Sequence, residues 1–232
     1  MTVSKLPAQL AAEFLGSMFL VMAAMASIIM FIHVLDAPKS VAILANAMAV
    51  AFVLATLIEM FGPISGAHFN PVVTLVMMLD RRISHQQGLL FMASQFIGGL
   101  VGTAFSRLMF LEEMGTVLAI STNDRSGHTF FGEVVGTFIL LLAILLLVKH
   151  GSGKISILLG MLVGGQLMST SSTMFANPQV TVARMFTNSA SGIRPVDGLV
   201  FIAMQVVGAL LAYGVFRFMF QEKVRATPER SL

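Results

Sequence analysis

Long apolar stretches, each close to twenty residues, alternate with short polar gaps along this chain, and two of the gaps contain an Asn-Pro pair. At a rise of about 1.5 Å per residue, some twenty helical residues cross a ~30 Å hydrocarbon core. The pattern therefore predicts an all-α membrane protein with six spans, roughly at 10–33, 41–61, 88–110, 130–149, 155–174 and 198–220. Glu13, Glu59, Arg107, Glu133 and Arg217 are the charges inside them, and the fifth span has none. The Asn-Pro pairs read Asn70-Pro71-Val72-Val73-Thr74, after Gly66-Ala67-His68-Phe69, and Asn177-Pro178-Gln179-Val180-Thr181, after Met174-Phe175-Ala176. Asn is a favoured N-cap and Pro a favoured first helical residue, so each pair marks a helix start at or inside the membrane.

The two halves repeat one another. Glu13-Phe14-Leu15-Gly16-Ser17 parallels Glu133-Val134-Val135-Gly136-Thr137, and Gln95-Phe96-Ile97-Gly98-Gly99 parallels Gln205-Val206-Val207-Gly208-Ala209. Three spans per half is an odd number, so the second half enters from the opposite side. The expectation is an inverted 3+3 repeat, with both Asn-Pro helix starts meeting near the bilayer centre. One transmembrane domain covers 1–232: repeat one at about 8–111, repeat two at about 129–221, and a tail over 222–232.

Composition agrees: 56% of the 232 residues are hydrophobic, 11% are charged, and the mean hydropathy is +0.89. A soluble domain carries about a quarter charged residues. Lys5 before an apolar run, with Ala24-Met25-Ala26 beyond it, has the look of a leader peptide. Glu13 within that run and the repeat argue for a first span instead. Orientation follows the short loops: Lys5, Arg81, Arg82, Lys149, Lys154, Arg217, Lys223, Arg225 and Arg230 outnumber Lys39, Arg107, Arg125, Arg184 and Arg194 on the other side. Both termini are expected in the cytoplasm, in an inner (plasma) membrane. The net charge of +3 reads as topology and lipid-headgroup contact, not nucleic-acid binding. Without cysteine there is no thiol catalysis, disulfide or thiolate metal site. No nucleotide-binding or hydrolase motif occurs, and no enzyme activity, cofactor or metal is expected.

Ser65-Gly66-Ala67-His68-Phe69-Asn70-Pro71-Val72-Val73-Thr74 resembles the first signature of the aquaporin and glycerol-facilitator family, and the second Asn-Pro and the paired Glu and Gln extend the resemblance over the whole chain. It implies six spans, two re-entrant half-helices, a pore in each subunit and a homotetramer. Two helix N-termini facing each other place partial positive charge at the pore centre, opposing cations and protons. Asn70, Pro71, Val72, Asn177, Pro178 and Gln179 form that centre, with the two Asn amides as donors to a passing oxygen. Glu13 and Glu133 are expected to accept hydrogen bonds from the re-entrant loops, whose non-helical backbone must be satisfied within protein. A proton relay is the competing role for them. His68 falls in the vestibule.

Selectivity is where this chain departs from water-selective relatives. Their narrowest point has an aromatic, a His, a small residue and an Arg; by family spacing those positions are Val50, Gly165, Met174 and Val180 here. Such a filter favours small neutral solutes, glycerol-like polyols and hydroxylated metalloids, over strict water selection. A mainly water-conducting channel is the alternative, and an ion-coupled transporter using Glu13, Glu59 and Glu133 is the alternative from another class. Val72 and Gln179 replace the usual Ala; Gln179 either hydrogen-bonds across the half-helix contact or widens the centre. Arg184, one turn beyond Val180, either reaches the pore as a vestibule residue or anchors the outer loop beside Asp197. Thr181–Thr187 with Gly192-Ile193-Arg194-Pro195 resembles a bacterial subgroup of the family associated with arsenic resistance, which points to arsenite.

Overall fold

A computed structural model describes residues 5–220, and among these every regular element is a helix. The first half contains α1 (Leu6–Ile28), which runs on through a π-helical turn (Ile29–Val34), α2 (Lys39–Ser65), α3 (Pro71–Leu79) and α4 (His85–Leu108). A short α5 (Leu111–Met114) leads into the long connection. The second half contains α6 (His128–Lys149), α7 (Ile155–Ser169), α8 (Pro178–Met185) and α9 (Pro195–Met219). The tail over 222–232, with Lys223, Arg225 and Arg230, lies outside the described residues.

Five of the six expected spans are long and apolar enough to cross a membrane. The fifth in order, α7, differs: it has 15 residues and stops at Ser169 rather than near 174. Its cap Thr170 is already extended, and Thr173, Met174 and Ala176 then take positive φ (57°, 41° and 46°). Those residues form the irregular approach to α8. The approach opens on four hydroxyl residues, Thr170-Ser171-Ser172-Thr173, and the expected span runs on through them because uncharged Ser and Thr do not interrupt an apolar run as a charge does.

Each half packs alike. α1 lies along α4 and α6 along α9, while α2 and α7 pair between the halves. Glycines permit these approaches. A Cβ on Gly208 would lie 2.5 Å from Val134 O, one on Gly102 2.5 Å from Met18 O, and one on Gly160 2.6 Å from Ala51 O. Small residues at such crossings are how helices gain packing in lipid, where the hydrophobic effect between helices is absent. The half-helices α3 and α8 fill the interior, α3 against α4 and α9, α8 against α9 and α4. Large apolar side chains point outward instead: Phe218 is 77% exposed, Phe131 71% and Met161 67%. A soluble protein would bury these, so the exterior is built for lipid.

Candidate functional site: a conduit between two half-helices

Both half-helices begin in the same way. Asn70 and Asn177 are extended N-caps, with each Oδ1 accepting from the backbone N–H two residues on, at 3.1 Å, and Pro71 and Pro178 open the helices. The caps also tie the halves together. Asn70 Nδ2 donates to Ala176 O and Asn177 Nδ2 to Phe69 O, both at 2.8 Å. One amide proton on each Asn is thus committed across the junction, and the second is left to face the cavity that both residues line.

The loops entering α3 and α8 are bent at Ala67 and Phe69 (φ 52° and 47°) and again at Thr173, Met174 and Ala176. Non-glycine residues in this region cost of order 1–3 kcal/mol each and need fixed partners. Two buried carboxylates supply them. Glu13 accepts from Ser65 Oγ (2.6 Å), His68 N (3.0 Å), Phe69 N (2.8 Å) and Gln95 Nε2 (2.7 Å). Glu133 accepts from Phe175 N (2.9 Å), Ala176 N (2.8 Å) and Gln205 Nε2 (2.6 Å). Gln95 and Gln205 then reach Thr74 Oγ1 and Thr181 Oγ1, each at 2.9 Å. Glu, Gln and Thr therefore form one network twice over, and it fixes the loop that carries each Asn.

Between the half-helices and the inner faces of α1, α2, α6 and α7 runs a narrow apolar cavity. On one side it shares His68, Ile58 and Leu159 with a vestibule lined also by Glu59 and Arg82. On the other it shares Arg184 with a vestibule bounded by the 115–127 connection. These two ends are called the terminal-side and loop-side mouths below. Polar groups are few along the wall: His68, Asn70, Asn177 and Arg184 among aliphatic and aromatic neighbours. A narrow path of this kind, with donors at its centre and an arginine at one end, suits transfer of small molecules.

Residues 1–173 match the profile of the major intrinsic protein family. The chain belongs to that family. Members are membrane channels, not enzymes. Aquaglyceroporin AqpS of Rhizobium meliloti (strain 1021) is 36% identical over 211 residues, covering 90% of this chain and 89% of the relative. Glycerol uptake facilitator protein-like 6 of Lactiplantibacillus plantarum is 29% identical, covering 91% and 97%. Among solved structures, the aquaglyceroporin from Plasmodium falciparum superposes with a TM-score of 0.68 at 18% identity, over 93% of this chain and 96% of that one. At that identity the likeness speaks for the fold, which is the aquaporin fold.

The residues singled out in the sequence fall in different places around this channel's conduit. Val50, Met174 and Val180 line it, all at least 94% buried. Gly165 does not. It lies on the same outward face of α7 as Met161, with open space where a Cβ would be. Val163 and Leu167 bring α7 to the cavity wall instead. Counting residues from Asn177 assumed a regular link between α7 and α8, and the irregular 170–176 approach shifts the helix phase. Pro71, Val72, Pro178 and Gln179 are buried behind the cavity, where α3 and α8 meet. Gln179 does reach across that contact, donating Nε2 to Phe69 O at 3.2 Å, while its Oε1 stays buried without a partner. His68 Nδ1 is paired with Thr74 Oγ1 at 3.1 Å, and its ring stands edge-on to Phe91. Arg184 lines the conduit and forms no ion pair with Asp197, which accepts from Arg194 Nε (2.7 Å) and Arg125 N (2.8 Å).

Two arginines that sequence reasoning treated only as topology signals shape the loop-side mouth. Arg107 is fully buried and donates to Thr116 O, Thr116 Oγ1, Met114 O, Thr187 Oγ1 and Asn188 Oδ1, at 2.6–3.2 Å. It staples the connection to the segment following α8. Arg125 turns inward, with Nε 2.9 Å from Gly192 O and its guanidinium over the Phe175 ring. An arginine at the end of an apolar span was the available signal for Arg107; nothing local marks Arg125.

Proposed function

We propose that this channel is a passive conduit for small uncharged solutes: glycerol-like polyols, arsenite and antimonite as neutral hydroxides, and some water. The conduit wall at Val50, Met174 and Val180 carries the reading, because aliphatic side chains there leave room and no fixed charge at the position where water-selective relatives hold an arginine. Leu167, rather than Gly165, borders the wall from α7 and narrows it somewhat. The free amide proton on each of Asn70 and Asn177 offers a donor to a hydroxyl oxygen at mid-path. The names of the two bacterial relatives, an aquaglyceroporin and a glycerol uptake facilitator-like protein, lean the same way. The channel sits in the inner membrane with both termini cytoplasmic, which makes the loop-side mouth the outer one. Four copies assemble, each with its own pore, burying part of the exposed apolar exterior.

Stopped-flow measurements on proteoliposomes with water, glycerol and arsenite test the substrate reading. Flux of all three is expected, with glycerol and arsenite at least comparable to water per channel. Good water flux with both solutes excluded would replace the reading by a water channel.

A further inference from the structure

Two guanidiniums share one aromatic ring at the loop-side mouth. Arg184 Cζ lies 4.1 Å and Arg125 Cζ 4.9 Å from the centroid of Phe175. Arg125 is spent on backbone carbonyls, with Gly192 O at 2.9 Å and Ser172 O and Ala190 O at 3.3 and 3.4 Å. Arg184 has no such anchorage. Only 4% of the residue is exposed, its Nε is buried without an acceptor, and no carboxylate pairs with it among the described residues. Glu133, behind the ring, spends its oxygens on Phe175 N, Ala176 N and Gln205. The mouth also carries Lys39 and Asp124, and Asp124 is already paired with Arg194 at 3.0 Å. Three cations therefore face one committed carboxylate.

A desolvated charge with no counter-charge is unfavourable, and a guanidinium resting on an aromatic face keeps its N–H edge free for a forked partner. Tetrahedral oxyanions have the matching geometry and charge. We propose that Arg184, backed by Phe175 and flanked by Arg125 and Lys39, is a binding site for a small oxyanion of the phosphate type. Since Arg184 also walls the conduit, an anion seated there blocks solute passage. The blocking half rests on the channel reading; the binding half does not.

Inorganic phosphate is the probe. Two readouts are taken at constant ionic strength set with chloride: phosphorus-31 line broadening with the purified channel, and glycerol flux in phosphatidylcholine proteoliposomes. Wild type is expected to broaden the phosphate line saturably in the millimolar range and to lose more than half of its glycerol flux at saturation. Arg184→Met, which keeps length but drops charge and donors, is expected to abolish both effects. Arg184→Lys is expected to retain charge without the fork, and to weaken the midpoint several-fold. An unaffected wild type, or an effect that survives Arg184→Met, overturns the site. If wild type shows no solute flux at all, the line-broadening arm still decides the site while the channel reading falls. Flux lost only when phosphatidylglycerol is added to the vesicles, and indifferent to dissolved phosphate, assigns the guanidinium to a lipid headgroup and overturns the soluble anion.

Discussion

Side chains at two kinds of position decide this site: those that hold the loops and those that face the path. Glu13 and Glu133 belong to the first kind. Each collects at least two backbone N–H groups and one Gln amide within 3.0 Å, so both carboxylates are spent as acceptors. Replacing either by Gln puts an NH2 against N–H donors, and each buried donor left unmet costs about 1–3 kcal/mol. Glu133→Gln is therefore expected to lower stability by roughly 2–5 kcal/mol, read as a fall in thermal midpoint in detergent. An unchanged midpoint would show that the loop before α8 holds itself. Val180 belongs to the second kind, since it lines the conduit one turn before Arg184. Val180→Arg adds a second guanidinium four residues from the first on the same helix face, narrowing the path and placing like charges together. Glycerol and arsenite flux are expected to fall much more than water flux, with the amount of folded channel in the vesicles measured alongside. Equal losses for solutes and water would mean that position 180 does not sort them.

The element most informative about how sequence encodes this fold is the contact between α8 and α4. Its counterpart in the first half is α3 against α9, where Val72 stands at the position of Gln179 and Ala209 at that of Gly99. The longer side chain in the second copy is met by the smaller partner: a Cβ on Gly99 would run into Gln179 Oε1. Gly99→Ala is expected to destabilise the channel by roughly 1–3 kcal/mol through that overlap. The double variant Gly99→Ala with Gln179→Val should recover most of the loss, since it restores the Ala–Val pairing found in the other half. Additive losses in this double-mutant cycle would show that the two positions do not share the contact. The repeat was legible in sequence because it rests on identities, Glu, Gln, Gly and Asn-Pro, that stand out in apolar surroundings. The phase of α7 was not legible. α7 ends early in an uncharged, hydroxyl-rich segment, Ser169–Thr173, which does not fix the phase of the helix relative to Asn177, so spacing alone points to Gly165 where Leu167 lines the path. The roles of Arg107 and Arg125 are hidden for another reason: each has partners far along the chain, the Thr187 and Asn188 side chains for Arg107 and the Gly192 carbonyl for Arg125, which no local pattern announces.

At the scale of the molecule, the inverted repeat by itself fits either a channel or a coupled transporter, for both use broken helices meeting at the bilayer centre. What separates them is whether an ionisable group on the path can change charge and shift the balance between two states. Asp197, in the first turn of α9, is held by Arg194 and Arg125, and three further carboxylates lie within the spans. Glu13 and Glu133 are fully engaged by the re-entrant loops, so protonating either would release strained backbone rather than move a substrate. Glu59 accepts from Ser156 Oγ at 2.8 Å and lines only the terminal-side vestibule, outside the narrow path. Among the described residues no carboxylate along the narrow path is therefore placed to couple an ion gradient, and His68, which does line the path, is held to Thr74 Oγ1, so solute should only equilibrate. Proteoliposomes loaded with buffer and given radiolabelled glycerol under an imposed proton or sodium gradient test this directly. The inside concentration is expected to reach that outside and stop, with or without the gradient, and Glu59→Gln should leave the rate within about twofold, since a surface substitution away from the path shifts energies by only about 0.5 kcal/mol. Mercuric chloride should likewise fail to give the block reversed by thiol reductants, as the chain has no cysteine for it to modify. Accumulation of glycerol above the outside level when the gradient is applied would make the molecule a transporter, and Glu59 would then be the first residue to suspect.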